Sequence, residues 1–127
     1  MDQDTLSVIK VKDILIVTVP SDPDDSTVAA LQERILSQLE RYQAKGVVLD
    51  LSAVQTLDSF FARTVAETAQ MIGVMGARTI VVGMQPAVAI TTTQIGLALG
   101  TIETALTVDR ALDRVMKQTT SMPGLAQ

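Results

Sequence analysis

The 127 residues include no cysteine and no histidine. Their absence excludes disulfides, structural zinc held by Cys and His, thiol nucleophiles and the Ser-His-Asp triad. Tryptophan is also missing, and aromatics make up 2% of the chain. Tyr42, Phe60 and Phe61 are the whole aromatic complement, so stacking on nucleic-acid bases has no platform. Basic residues are in deficit: 10 Lys and Arg face 14 Asp and Glu, for a net charge of −4 and a pI near 4.6. A phosphate backbone would find no basic footprint, so no nucleic-acid partner is expected. No segment approaches the about 20 unbroken apolar residues of a membrane span. The start, MDQDTLSVIKVKD, has two early acids and no apolar core, so no signal peptide is expected. The reading is a soluble, cytoplasmic protein without a membrane partner.

What is present is aliphatic. Hydrophobic residues reach 47%, enough for one compact core of Val, Ile, Leu, Ala and Met. Leu6–Val11 alternates in part and predicts a strand. The polar break Lys12-Asp13 and the β-branched run Ile14–Val19 predict its hairpin partner. Pro20 to Pro23 stop the sheet. Asp24, Asp25 and Ser26 then offer N-caps for a helix carrying Val28, Leu31, Ile35 and Leu39 at helical spacing, with Gly46 as its stop signal. Val47–Leu51 lacks alternation, as a strand buried on both faces would. After the loop Ser52–Leu57, a helix is predicted from about Ser59 to Met75, with Phe61, Val65, Thr68, Ala69 and Ile72 as its core stripe and Gly76 closing it. Arg78–Gly83 predicts another buried strand. Pro86 opens a third helix with Val88, Ile90, Ile95 and Leu99, ended by Gly96 and Gly100. Ile102–Leu106 predicts a short edge strand, and Thr107 or Asp109 caps a last helix with Ala111, Leu112, Val115 and Met116. The order β-β-α-β-α-β-α-β-α predicts a single α/β domain over 1–118, with a mixed, mostly parallel sheet covered by helices. The stretch 119–127 has no periodicity and predicts a mobile tail.

Loops at the carboxyl ends of parallel strands are where α/β sheets place their sites. That edge carries Asp50, Asp58, Ser59 and Met84-Gln85-Pro86. Asp50 and Asp58 have the chemistry for Mg²⁺ or an acid/base pair, or else are polar loop residues, one of them a helix cap. Gly73-Val74-Met75-Gly76 lacks the following Lys-Ser/Thr of a phosphate-binding loop. With no activating base, metal cluster or nucleotide loop, neither enzymatic activity nor a cofactor is expected. Ser59 stands apart. At the mouth of a helix its hydroxyl can be a cap, or it can be an exposed group where added negative charge is tolerated. Thr91-Thr92-Thr93 is a poor helical sequence; it offers either one turn of packing or a hydroxyl-rich surface.

Asp58-Ser59-Phe60, Gly83–Ala89 and Ile95–Leu99 together resemble the STAS domain family (sulfate transporter and anti-sigma factor antagonist), and within it the RsbS-type stressosome proteins. The likeness covers about Leu6 to Met116. It implies a STAS-like α/β domain acting as a non-enzymatic scaffold. Such a scaffold assembles with longer RsbR-type sensory paralogues into a large homo- or hetero-oligomer and sequesters an RsbT-type serine kinase. The kinase would phosphorylate Ser59 and be released, with Asp58, Ser59 and Phe60 as the partner-binding residues and Thr91 as a weaker second phosphoacceptor. Many simple antagonists of the family have Ser-Gly after the Asp-Ser pair, whereas this chain has Phe60-Phe61. The alternative is a stand-alone anti-sigma factor antagonist that binds an anti-sigma kinase directly. A nucleotide-binding STAS domain is a further rival, although no phosphate cradle is visible. The lack of a preceding membrane segment or sensory domain points away from the transporter and paralogue roles.

Overall fold

The computed structural model describes residues 7–89 and 102–120, with side chains described as far as Met116 in the last helix. Five strands form one mixed sheet in chain order, β1-β2-β3-β4-β5. They are β1 (Ser7–Val11), β2 (Ile14–Thr18), β3 (Gly46–Asp50), β4 (Arg78–Val82) and β5 (Glu103–Ala105). The described helices are α1 (Asp25–Tyr42), α2 (Ser59–Val74) and α3 (Val108–Thr120). Only β1 runs antiparallel to its neighbour, through the Lys12-Asp13 turn; β2 to β5 are parallel. The expected hairpin and βαβ units are therefore present. Helical backbone also occurs at 86–89, where Val88 is buried, and the remainder of the third predicted helix lies outside the described residues.

Pleating sends alternate residues to opposite faces. Leu15, Val17, Val47, Leu49 and Val81 join Val28, Leu31, Ile35, Leu39, Phe61, Val65 and Ile72 of α1 and α2 in the larger core. Ile14, Val48, Ile80 and Val82 face the other way, onto Ala111 and Val115 of α3. Helices on both sides explain why β3 reads as an unbroken apolar run. Each fully buried aliphatic side chain contributes about 1.5–3 kcal/mol of transfer free energy. The two buried threonines of α2 are satisfied within this packing. Thr64 Oγ1 donates to the Phe60 carbonyl at 2.8 Å, and Thr68 Oγ1 donates to the Thr64 carbonyl at 2.7 Å. Gln32 Nε2 of α1 then donates to Thr68 Oγ1 at 3.2 Å, tying the two helices together.

The main departures from the expected boundaries are at the end of α1 and in α3; β2, β3 and β4 also each stop one residue short of expectation. The end of α1 is not made by Gly46: the helix stops at Tyr42, and Gln43 takes the left-handed conformation, φ 51°. Gly46 is instead the first residue of β3, which runs to Asp50 and not to Leu51. A Cβ on Gly46 would lie 3.2 Å from Val115 Cγ1, so the glycine is there to let α3 approach the sheet. The other boundary is α3, which continues to Thr120 past the expected end of regular structure; 121–127 lie outside the described residues. The end of α2 is as predicted. Gly76 is left-handed at φ 92°, and the Ala77 N–H donates to the Ile72 carbonyl at 3.1 Å, closing a Schellman motif.

Candidate functional site

The register Thr18↔Asp50↔Val82↔Ala105 brings the ends of four strands to one edge. The loop leaving β3 is held there from several directions. Asp50 Oδ1 accepts from the Ser52 N–H at 2.9 Å and also from the Ser52 hydroxyl. The Leu51 N–H donates to the Val82 carbonyl at 2.9 Å, and the Val54 N–H to the Leu51 carbonyl at 3.0 Å. Gln85 Nε2 reaches across from the β4 loop to the Ser52 carbonyl at 2.7 Å. Gly83 makes this closure possible: its φ is 71°, and a Cβ would sit 2.6 Å from Ser52 Oγ. Val54 and Leu57 are buried beneath the loop. The segment that delivers the chain to Ser59 is therefore a fixed platform.

At the end of that platform Asp58 is the N-cap of α2. Its Oδ1 accepts from the Phe61 N–H at 2.8 Å, and its carbonyl accepts from the Ala62 N–H at 3.0 Å. Ser59 is then the first helical residue and not the cap, which corrects one of its two expected roles. Its side chain is exposed and makes no hydrogen bond with the described residues. The next two residues split as their helical positions require: Phe61 is 3% exposed in the core, and Phe60 is 40% exposed beside Ser59. Asp58, Ser59 and Phe60 thus form one surface. Thr91 lies outside the described residues.

Asp50 and Asp58 do not act as a pair. Asp50 is engaged by Ser52 and Asp58 by the start of α2. Among the described residues no group of three or more acidic, His or Cys side chains is placed to hold a metal ion. Asp58 shares a hollow of about 150 Å³ with Asp22, Pro23, Thr56, Leu57 and Phe61. Asp22 had no role in the sequence reading beyond lying between two sheet-stopping prolines. Asp24, the N-cap of α1, lies nearby in the same segment; the Thr27 N–H, 2.8 Å from its Oδ1, holds its carboxyl below the ordinary aspartate range. The mouth of the site is acidic. Arg63 was also overlooked. It is exposed, four residues after Ser59, and makes no ion pair with the described residues. Helical spacing alone was the signal that would have found it.

The comparisons agree with this architecture. A family model of the STAS domain matches residues 5–111. The structure of a Ser-to-Glu variant of RsbS from Moorella thermoacetica superposes with a TM-score of 0.81 at 32% identity, covering 90% of this chain and 97% of that one. A chain from the structure "Molecular architecture of the stressosome, a signal integration and transduction hub" superposes with a TM-score of 0.80 at 32% identity, covering 90% and 99%. Among curated proteins, the RsbT co-antagonist protein RsbRA of Bacillus subtilis (strain 168) is 20% identical over 96 residues, 76% of this chain. The chain spans 35% of that relative's length. No described helix is long and apolar enough to cross a membrane. With the domain model matched along most of its length and RsbS matched nearly end to end, the chain belongs to the STAS domain family, close to the RsbS type.

Proposed function

We propose that this STAS domain is a non-enzymatic partner-switching scaffold of a stressosome. It sequesters an RsbT-type serine kinase, is phosphorylated by it on Ser59, and then releases it. The observation that carries the reading is the free, exposed Ser59 hydroxyl at the first position of a helix that Asp58 already caps. The likeness to RsbS and to the stressosome structure supports the assembly, with RsbR-type paralogues as co-subunits.

In the transfer step the Ser59 Oγ attacks the γ-phosphorus of ATP held by the kinase with Mg²⁺. A new O–P bond forms, the β–γ bridging P–O bond breaks, ADP leaves, and the hydroxyl proton passes to a base of the kinase. The product carries about −1.5 to −2 charges at the N-terminus of α2. The fold tolerates them, because the helix dipole favours negative charge there and Arg63 lies one turn on along the same face. The interface does not tolerate them equally. Added charge beside Asp22 and Asp58 changes what a partner seated over Phe60 must desolvate. Phosphorylation therefore acts on binding and leaves folding nearly unchanged.

The test is a reaction with the cognate kinase and ATP, read by mass spectrometry of tryptic peptides. One phosphate is expected on Ser59, and none in Ser59→Ala. Phosphate only at other positions refutes the site. Size-exclusion chromatography with RsbR-type paralogues is expected to give a very large particle; a small heterodimer with an anti-sigma kinase would favour the stand-alone antagonist instead.

A further inference from the structure

Arg63 is the only base from Gly46 to Ala77, a stretch that carries the acids Asp50, Asp58 and Glu67. It lies in α2 four residues after Ser59 and three after Phe60, so on the helix surface it borders both. Phe61, Ala62, Thr64, Val65 and Thr68 turn the opposite face of the same turns into the core. Ser59, Arg63 and Glu67 are exposed and follow one another at i, i+4 spacing. None of their side chains has a partner among the described residues. The guanidinium is thus a solvated charge with a hydroxyl one turn before it and a carboxylate one turn after it.

A kinase that reaches the Ser59 hydroxyl and covers Phe60, which is 40% exposed, also covers Arg63, because helical neighbours at this spacing have Cβ atoms about 5–6 Å apart. An arginine taken out of water without a counter-charge is strongly unfavourable, so the partner must supply an acid. We propose that Arg63 is the release latch of the switch: it pairs with an acidic side chain of the kinase before transfer and with the Ser59 phosphate after it. Within α2 the phosphate has one rival, Glu67. In an i, i+4 pair the favourable order is acid first, base second. The phosphate precedes Arg63 and carries about −1.5 to −2 charges, whereas Glu67 follows it and carries one. Capture by the phosphate takes Arg63 from the kinase and leaves the kinase's carboxylate facing a dianion with no base between them. Like charges at that spacing push the two surfaces apart. The inference rests on Ser59 as the phosphoacceptor and names the residue through which the new charge acts on the partner.

The experiment uses the full chain and its cognate kinase, with Arg63→Gln and Arg63→Lys beside the wild type. The position is exposed, so the three unphosphorylated proteins are expected to share one thermal midpoint. Kinase binding is measured by calorimetry with ADP and Mg²⁺ in place of ATP, so that no transfer occurs. Arg63→Gln is expected to bind at least about tenfold more weakly than the wild type, and Arg63→Lys to keep most of the affinity. Each protein is then phosphorylated with ATP and excess kinase, its site is read by mass spectrometry, and the phosphate is titrated by phosphorus NMR. A nearby positive charge favours the dianion, so the wild-type phosphate is expected to lose its second proton at a lower pH than the phosphate of Arg63→Gln. Asp22, Asp58 and Glu67, the acids around the site, are the same in both proteins and do not produce that difference. Phosphorylation is also expected to cost the wild type more kinase affinity than it costs Arg63→Gln. Equal kinase binding by unphosphorylated wild type and Arg63→Gln overturns the proposal. So do coincident titration curves when both proteins carry the phosphate on Ser59. Either of those results with Ser59 modified overturns the latch alone, whereas phosphate only at other positions overturns the Ser59 assignment and the latch with it.

Discussion

Replacing Asp58 and Ser59 one at a time by alanine separates two neighbours that have the same propensity to begin a helix. Asp58 accepts from the Phe61 N–H at 2.8 Å, so Asp58→Ala leaves that donor unpaired and removes a carboxylate from the positive end of α2. Loss of an N-cap of this kind costs about 1 kcal/mol, with a range of roughly 0.5–2. Ser59 is exposed and its hydroxyl bonds no described residue. Ser59→Ala removes no contact and puts the best helix former at a helical position, so its effect should lie within about 0.5 kcal/mol of zero. For a domain of this size the difference corresponds to roughly 3–5 °C in thermal midpoint. The assay is urea unfolding followed by far-UV circular dichroism, because the chain has no tryptophan to report by fluorescence. Asp58→Asn should recover most of the lost stability, since asparagine caps nearly as well, while still removing the charge. An equal loss in Ser59→Ala and Asp58→Ala would refute the reasoning, because the serine would then be serving the fold. Its hydroxyl would not be free for a kinase without a folding cost.

Other substitutions test the frame around the site. Gly83→Ala should destabilise by about 1–3 kcal/mol, because φ is 71° and the new Cβ would meet Ser52 Oγ at 2.6 Å. An unchanged urea midpoint would show that the platform is looser than described. Thr79 Oγ1 is buried without a hydrogen-bond partner, beside Leu31, Ile35, Val47 and Ile72. Thr79→Val should therefore stabilise by about 1 kcal/mol, and a loss on calorimetry would mean that the hydroxyl is satisfied by a bound water. Glu103 accepts from Arg78 Nε at 2.8 Å and from Nη2 at 2.5 Å, which holds its carboxyl below the ordinary glutamate range. A depressed folded pKa gives stability that is present above the unfolded value and lost as pH falls through the folded one. The stability gap between wild type and Glu103→Gln should accordingly be open near neutrality and close in acid. A gap independent of pH would show that the ion pair contributes nothing, as many part-exposed pairs do.

Much of the frame was legible because burial writes itself into the aliphatic pattern. Ile14–Val19 and Val47–Leu51 predict strands from β-branching and continuous apolarity, and the core stripe of α2 follows from spacing alone. The end of α1 was misplaced because a glycine is the usual left-handed residue after a helix, while Gln43 takes that role here. Gly46 is needed for a different reason, the 3.2 Å approach of Val115, and that contact spans 69 positions of sequence between residues 46 and 115. No local rule contains it. The clamp of Gln85 on the Ser52 carbonyl and the shared hollow of Asp22 and Asp58 were hidden for the same reason: each joins loops that only the closed sheet brings together.

The site itself shows where local rules run out. Asp and Ser are about equally good caps, so the sequence Asp58-Ser59 does not say which of them begins the helix. Packing decides it. Leu57 and Phe61 are both buried against the same core, and this fixes the helical phase so that Asp58 faces the Phe61 N–H. Ser59 is then turned outward with its hydroxyl unused. If the phase were one residue later, Ser59 would be bonded to the backbone and its modification would cost the helix its cap. Placing the acid first leaves the cap intact whether or not Ser59 carries a phosphate. A binding switch needs that separation, in which the charge changes at the surface while the helix that presents it stays formed.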